Sequence, residues 1–260
     1  MPTCANLHYR FYDEGGERFT YPIILLHGMG GSHLSWPALL RRIYGLRVYA
    51  PDLPGHGKSP SPYCQDLEHI SGCLYEFIQE MGFYHVVLAG HSLGGALALT
   101  FARTHPERTA GLLVLSCGRY FTVPYGLISS LRSPAKMFRA VELLKKTAFH
   151  EDFPHSARRK IMHPLQDLKP DMLLADLEMG RGFRFEGMPA TYKGATLICG
   201  GKEDAYAPPN SLRQLQHMIP DSTLYLYDQA GHMLLHERTE EVYESAKKFF
   251  QKASLPENLL

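Results

Sequence analysis

Short apolar runs alternate with segments of helical periodicity along most of the chain. Residues 21–27 (YPIILLH) are apolar, β-branched at the centre and followed by glycines, a pattern that predicts a buried strand. Residues 45–50 form a second such run, stopped by Pro51, and residues 85–89 and 111–116 two more. Between them, Leu67, Ile70, Leu74, Phe77, Ile78 and Met81 recur at helical spacing. Gly82 follows, where a glycine ends a helix by turning left-handed. Residues 96–105 predict another helix, closed by Pro106, with its pattern beginning near Leu93. Strands alternating with helices predict a mostly parallel sheet covered on both faces.

The rhythm changes over residues 119–189. Helical patterns dominate there, the clearest at 135–149 and 170–180, and no strand pattern appears. After Pro189 the alternation resumes: a strand at 195–199, a helix at 209–218, a strand at 223–227 and a closing helix at 240–253. The expected organisation is an α/β core, residues 1–118 and 190–260, split by a helical insertion at 119–189. Residues 254–260 are expected to fray.

Composition narrows the field. The 260 residues are 45% hydrophobic and 20% charged, the balance of a folded globular chain. With 27 Lys+Arg against 26 Asp+Glu, the basic excess of a phosphate-tracking surface is missing, so no nucleic-acid partner is expected. The densest basic run, Arg158-Arg159-Lys160, reads as a solvated helix face. Five cysteines, at 4, 64, 73, 117 and 199, are odd in number and widely spaced, which speaks against a disulfide framework or a structural zinc site. No apolar run is long enough to span a membrane and the first residues lack a signal-peptide pattern, so a cytoplasmic protein is expected. A monomer or small homo-oligomer is the default.

Gly90-His91-Ser92-Leu93-Gly94 fits G-x-S-x-G between a predicted strand and a predicted helix. A nucleophile elbow needs that context: the serine takes a strained backbone, and small neighbours relieve collisions across the turn. Ser92 is therefore the candidate nucleophile. A serine hydroxyl attacks only when a base takes its proton. His232, in QAGHM just after the strand at 223–227, lies at the carboxyl edge of the sheet and is the candidate base. His236 follows by four, but without the glutamate of His-Glu-x-x-His it makes a weak zinc case. The imidazole needs an acid to fix its tautomer. Asp204 follows the strand at 195–199; it is preferred to Glu203 because Asp-x-x-Ala-Pro leads into the next helix. Oxyanion donors are expected from the backbone N–H of Leu93 and from Met29, in the glycine-rich HGMGGS loop. Gly28, His91 and Tyr206 are candidate substrate contacts.

These pieces together resemble the α/β-hydrolase superfamily, in its serine-nucleophile, carboxylesterase-like branch. The matching segments are HGMGGS at 27–32, DLPGHGKS at 52–59, GHSLGG at 90–95, HPER at 105–108, EDAYAP at 203–208 and AGH at 230–232. The resemblance implies an eight-stranded, mostly parallel sheet with a helical cap inserted after strand 6. It implies that residues 52–59 form a structural loop near the site and that one N-terminal edge strand is stunted. It also implies a Ser92, Asp204, His232 triad needing no metal or organic cofactor.

Within that superfamily, Ser92 departs from the aspartate of dehalogenases and epoxide hydrolases. Leu93 departs from the tryptophan of proline-releasing peptidases, and Gly30-Gly31-Ser32 from the Gly-Pro of carbon–carbon bond hydrolases. Hydrolysis of a small-molecule, short-to-medium acyl ester is the expected function. A thioesterase, a biosynthetic lyase or acyltransferase, a carbon–carbon bond hydrolase, a cofactor-free perhydrolase or haloperoxidase, and a ligand-binding receptor stay open as alternatives. Met137, Phe138, Phe149, Phe153, Met162, Met172, Met179, Phe183, Phe185 and Met188 would suit an adaptable acyl pocket, although core packing is the default for each.

Overall fold

The computed structural model describes residues 3–15, 21–60, 66–132 and 136–253. The tail at 254–260, expected to fray, and Cys64 lie outside the described residues. In chain order the strands are β1 (Thr3–Cys4), β2 (Leu7–Asp13), β3 (Ile23–Leu26), β4 (Arg47–Pro51), β5 (Val86–His91), β6 (Thr109–Leu115), β7 (Ala195–Gly201) and β8 (Thr223–Tyr227). The helices are α1 (Ala38–Arg41), α2 (Leu67–Glu80), α3 (Leu93–Thr104), α4 (Tyr125–Leu131), α5 (Met137–Thr147), α6 (His155–Met162), α7 (Pro170–Gly182), α8 (Pro209–His217), α9 (Leu234–Glu237) and α10 (Thr239–Ala253).

The strands lie in the order β1-β2-β4-β3-β5-β6-β7-β8. From β4 to β8 every pairing is parallel, and β2 runs antiparallel to β4. The two-residue β1 adds only Thr3 and Cys4 beside β2 at that edge. The central strands read as unbroken apolar runs because both faces are buried. Ile24, Leu26, Leu88, Leu112 and Val114 pack on α2 and α3, while Ile23, Leu25, Val87, Leu113 and Leu115 pack on α1 and α10. Alternate residues of one strand thus feed opposite cores, as the period-2 geometry of a strand requires.

Helix ends follow local chemistry. Asp66 caps α2 by accepting the His69 N–H at 3.0 Å, and Gly82 leaves that helix at φ +70°. β4 starts at Arg47 rather than at Gly45. Gly45 is instead a left-handed turn residue, at φ +84°, whose N–H donates to Gly15 O at 2.7 Å.

Helices α4 to α7 lie between β6 and β7. They share a third apolar cluster, with Leu127, Ile128, Val141, Leu144, Leu173 and Leu177 at its centre. Among the described residues of 119–189 the only strand-like feature is an isolated bridge between Tyr120 and Arg184. One expectation fails in part: Arg159 and Lys160 are exposed, but Arg158 is buried. Its Nε donates to Phe153 O at 2.8 Å, and its Nη2 donates to His150 O and Glu151 O, each at 2.6 Å. A planar guanidinium gathers the carbonyls of the turn between α5 and α6, which a run of three basic residues does not reveal. Among the described residues no helix is long and apolar enough to cross a membrane.

Candidate active site

β5 ends at His91 and α3 begins at Leu93, so Ser92 alone makes the turn. Its backbone sits at φ +54°, ψ −119°, a conformation that costs a non-glycine residue of order 1–3 kcal/mol. The glycines on either side make this turn passable. A methyl group on Gly90 would stand 2.1 Å from Gly94 O, and one on Gly94 would stand 2.3 Å from Leu26 O.

The three side chains singled out by their order in the sequence meet here. His232 Nε2 lies 2.8 Å from Ser92 Oγ. His232 Nδ1 lies 3.0 and 2.9 Å from the two Asp204 oxygens. Facing a carboxylate, Nδ1 carries the proton, which leaves Nε2 free to accept one from the serine. Asp204 Oδ1 also accepts the N–H groups of Tyr206 and Ala207, at 2.8 and 2.9 Å. Those bonds fix the carboxylate in the loop after β7 and explain the choice of Asp204 over its neighbour. Glu203 instead accepts Ala230 N–H at 3.1 Å and braces the histidine loop.

His91 and Tyr206 both border the site, with additional jobs of their own. His91 Nε2–H donates to His232 O at 2.9 Å, so it anchors the histidine loop. Burial, then the nearby His232, push the His91 pKa down to about 3 and keep the ring neutral. The Tyr206 ring centroid lies 5.1 Å from that of His232, and its hydroxyl is 2.5 Å from Thr147 Oγ1 on α5. Burial raises the pKa of that phenol. Gly28 also lines the cavity beside Ser92: a methyl group on it would stand 3.2 Å from Ser92 Cβ.

Ser92 and His232 lie on the wall of a cavity of about 370 Å³. That is toward the small end of the roughly 300–1,000 Å³ typical of small-molecule sites. Met29 and Leu93 line it too, next to Ser92. A larger groove of about 800 Å³ between α2, α3 and α7 is polar and holds none of these residues. Among the described side chains of the Met and Phe residues weighed as pocket residues, only that of Met162 reaches the cavity. Met179, Phe183, Phe185 and Met188 join the core of the sheet, and Phe138 faces solvent. The apolar wall is formed instead by Leu144, Leu165 and Leu177, with Phe121 and Val123.

Two groups near the site escaped the sequence reading. Asp176 of α7 is buried at the cavity, where its Oδ2 accepts Gly30 N–H at 2.8 Å. The available signal was its place on the apolar stripe of Leu173, Leu177 and Gly180, where a charge needs a partner. Glu237 accepts the N–H groups of His150, at 2.6 Å, and Gly231, tying the α5–α6 turn to the histidine loop. Burial pushes its carboxyl above the usual range.

Residues 52–59 behave as a structural loop. Asp52 is fully buried and accepts His33 N–H at 2.6 Å and Lys58 N–H at 2.9 Å. The imidazoles of His8 and His33 lie 2.7 and 2.9 Å from the same carboxylate. Burial alone would raise the Asp52 pKa, but the His33 and Lys58 N–H groups and the His33 ring outweigh it and lower it. Among the described residues, His8, His33 and Asp52 form the one group of three metal-ligand residue types close together, their ligand atoms within 4.8 Å of one another. Their mutual hydrogen bonds make that group a brace between β2 and the loops that flank the site.

The profile of the alpha/beta hydrolase family matches residues 23–245. Among curated proteins, the chain is 27% identical over 258 residues to the dihydrolipoyllysine-residue acetyltransferase component of the acetoin cleaving system of Pseudomonas putida, covering 94% of this chain and 66% of that protein. It is 25% identical over 275 residues to the sn-1-specific diacylglycerol lipase ABHD11 of Danio rerio, covering 95% of this chain and 83% of that one. A thermophilic esterase from Thermogutta terrifontis superposes with a TM-score of 0.81 at 22% identity, over 95% of this chain and 94% of that one. A profile match over most of the chain, on the strand order described above, places the protein in the alpha/beta hydrolase family.

Proposed function

We propose that the protein is a serine hydrolase that cleaves short-to-medium acyl carboxylic esters through an acyl-enzyme. The observation that carries this reading is the 2.8 Å approach of His232 Nε2 to Ser92 Oγ, on the wall of an apolar cavity. In the first half-reaction Ser92 Oγ attacks the acyl carbon while His232 Nε2 takes its proton. Asp204 stabilises the imidazolium that forms. The N–H groups of Met29 and Leu93 receive the oxyanion; each such donor contributes roughly 10²–10³ in rate. As the first residue of α3, Leu93 has an N–H with no partner within the helix, and it is free for this purpose. The alcohol leaves with the proton from His232. Water then attacks the acyl-enzyme by the same route and frees the acid. Helices α4 to α7 act as a cap that sets acyl length, through the aliphatic wall of Leu144, Leu165 and Leu177.

The chemistry that the names of two relatives describe, an acetyltransferase and a diacylglycerol lipase, is acyl transfer in each case, which accords with an acyl-enzyme here. The small cavity favours soluble acyl chains over a triglyceride. A series of p-nitrophenyl esters from acetate to palmitate tests the reading. Turnover is expected to peak among the short and medium acyl groups and to collapse at palmitate. Absence of turnover across the series from folded protein, or palmitate as the best substrate, would overturn it.

A further inference from the structure

The Gly28 to Gly31 turn that carries Met29 is gripped from three sides. Gly31 N–H donates to Gly28 O at 3.1 Å, closing the turn on itself. His27 Nδ1–H donates to the same carbonyl at 2.9 Å, while its Nε2 accepts Leu53 N–H at 3.0 Å. The third grip comes from outside the sheet. Asp176 Oδ2, on α7, accepts Gly30 N–H at 2.8 Å, across 146 residues of chain. Gly30 itself is at φ +61°, and a methyl group there would stand 2.6 Å from Leu165 Cδ2.

The same Asp176 oxygen lies 2.9 Å from His56 Nε2, and the other His56 nitrogen lies 3.0 Å from Pro54 O. Both ring nitrogens face acceptors, an arrangement that favours a doubly protonated ring paired with the Asp176 carboxylate. Both residues are buried. Burial alone would lower the His56 pKa, but the bond and charge of Asp176 outweigh it and raise the value. Next to that charge His27 is neutral, its pKa pushed down to about 4 by burial and by His56. A buried ion pair is weak evidence for stability, because apolar replacements are often as stable. Its geometry here serves a different end.

We infer that Asp176, held by His56, is a positioning residue: from α7 it fixes the 28–31 turn so that Met29 N–H meets the oxyanion formed at Ser92. The substrate-selecting helices and the oxyanion donor are then one mechanical unit. A displacement of about 1 Å in such a group costs on the order of 10²-fold in rate. The inference rests on the esterase reading.

The test compares wild-type protein with D176N, which keeps the shape and an acceptor oxygen, and D176L, which keeps the branched shape but no acceptor. D176L is expected to lower kcat roughly 10–100-fold with KM within about 3-fold, because ground-state contacts persist while the oxyanion donor is misplaced. Binding of an alkyl trifluoromethyl ketone, which forms a tetrahedral oxyanion on serine, should weaken by a similar factor. D176N should lose less, roughly 3–10-fold in kcat, as a neutral acceptor replaces a charged one. Unchanged kcat in D176L, a loss confined to KM, or equal impairment of both variants would overturn the inference; if D176L does not fold, the D176N kcat and KM decide alone. Hydrogen exchange across residues 27–32 reads the same latch without any substrate. It should quicken at least about 10-fold in D176L, and unchanged exchange would overturn the latch whether or not wild-type protein hydrolyses esters.

Discussion

Replacing Ser92 with alanine is expected to lower kcat/KM for the best ester by about 10⁴–10⁶-fold while leaving the fold intact. The substitution removes the atom proposed to form the acyl-enzyme, Ser92 Oγ, which lies 2.8 Å from His232 Nε2. Adding H232A to S92A should cost almost nothing more. A base without a nucleophile has no proton to take, so losses within such a unit are far from additive. The residual rate reports what Met29 and Leu93 N–H groups do for direct attack by water. Kinetics on all three proteins, with circular dichroism to establish folding, make the check. Wild-type turnover in a folded S92A protein would contradict the mechanism.

A large effect on stability is expected at Gly90. An alanine there would put its methyl group 2.1 Å from Gly94 O, 2.4 Å from Gly94 C and 2.5 Å from Gly95 N. All three are backbone atoms of a turn already wound to φ +54° at Ser92, so no rotamer change relieves the collision. G90A should therefore cost about 3–5 kcal/mol, the upper range for a single substitution. For a chain of this size that is a fall of roughly 6–20 °C in Tm. Gly72 supplies the contrast. It lies on the exposed side of α2 with nothing within 4 Å of an added methyl group. G72A should be neutral or stabilising by roughly 0.5–1 kcal/mol, from helix propensity. Urea unfolding of the two variants measures both. A loss below about 1 kcal/mol in G90A would show that the elbow can relax, against the packing described here.

The two glycine predictions also mark what the sequence makes legible. The elbow is written locally: an apolar strand, Gly90 and Gly94 around Ser92, and a helix that begins at once. Asp204 and His232 are legible for a similar reason, since each follows a strand whose apolar run is unmistakable. Boundaries blur where glycine has two uses, as at Gly45, which belongs to a turn and not to β4. The helical segment is where legibility ends. Periodicity marks which face of α5 or α7 is buried, but not whether that face meets the core or a cavity. Hence Met179 and Phe183 proved to be core, and Leu144 and Leu177 wall. Asp176 and Arg158 depend on partners that no spacing encodes. Asp176 reaches Gly30 across 146 residues, and Arg158 collects carbonyls of a turn whose path only the folded chain defines.

The central claim is that Ser92 is an activated nucleophile, and covalent labelling tests it most directly. Protein treated with a fluorophosphonate should gain one adduct, and peptide mass spectrometry should place it on Ser92. Labelling should vanish in S92A and fall by orders of magnitude in H232A, because the hydroxyl reacts only when His232 takes its proton. No adduct on folded wild-type protein, or an adduct on another residue that persists in S92A, would contradict the account.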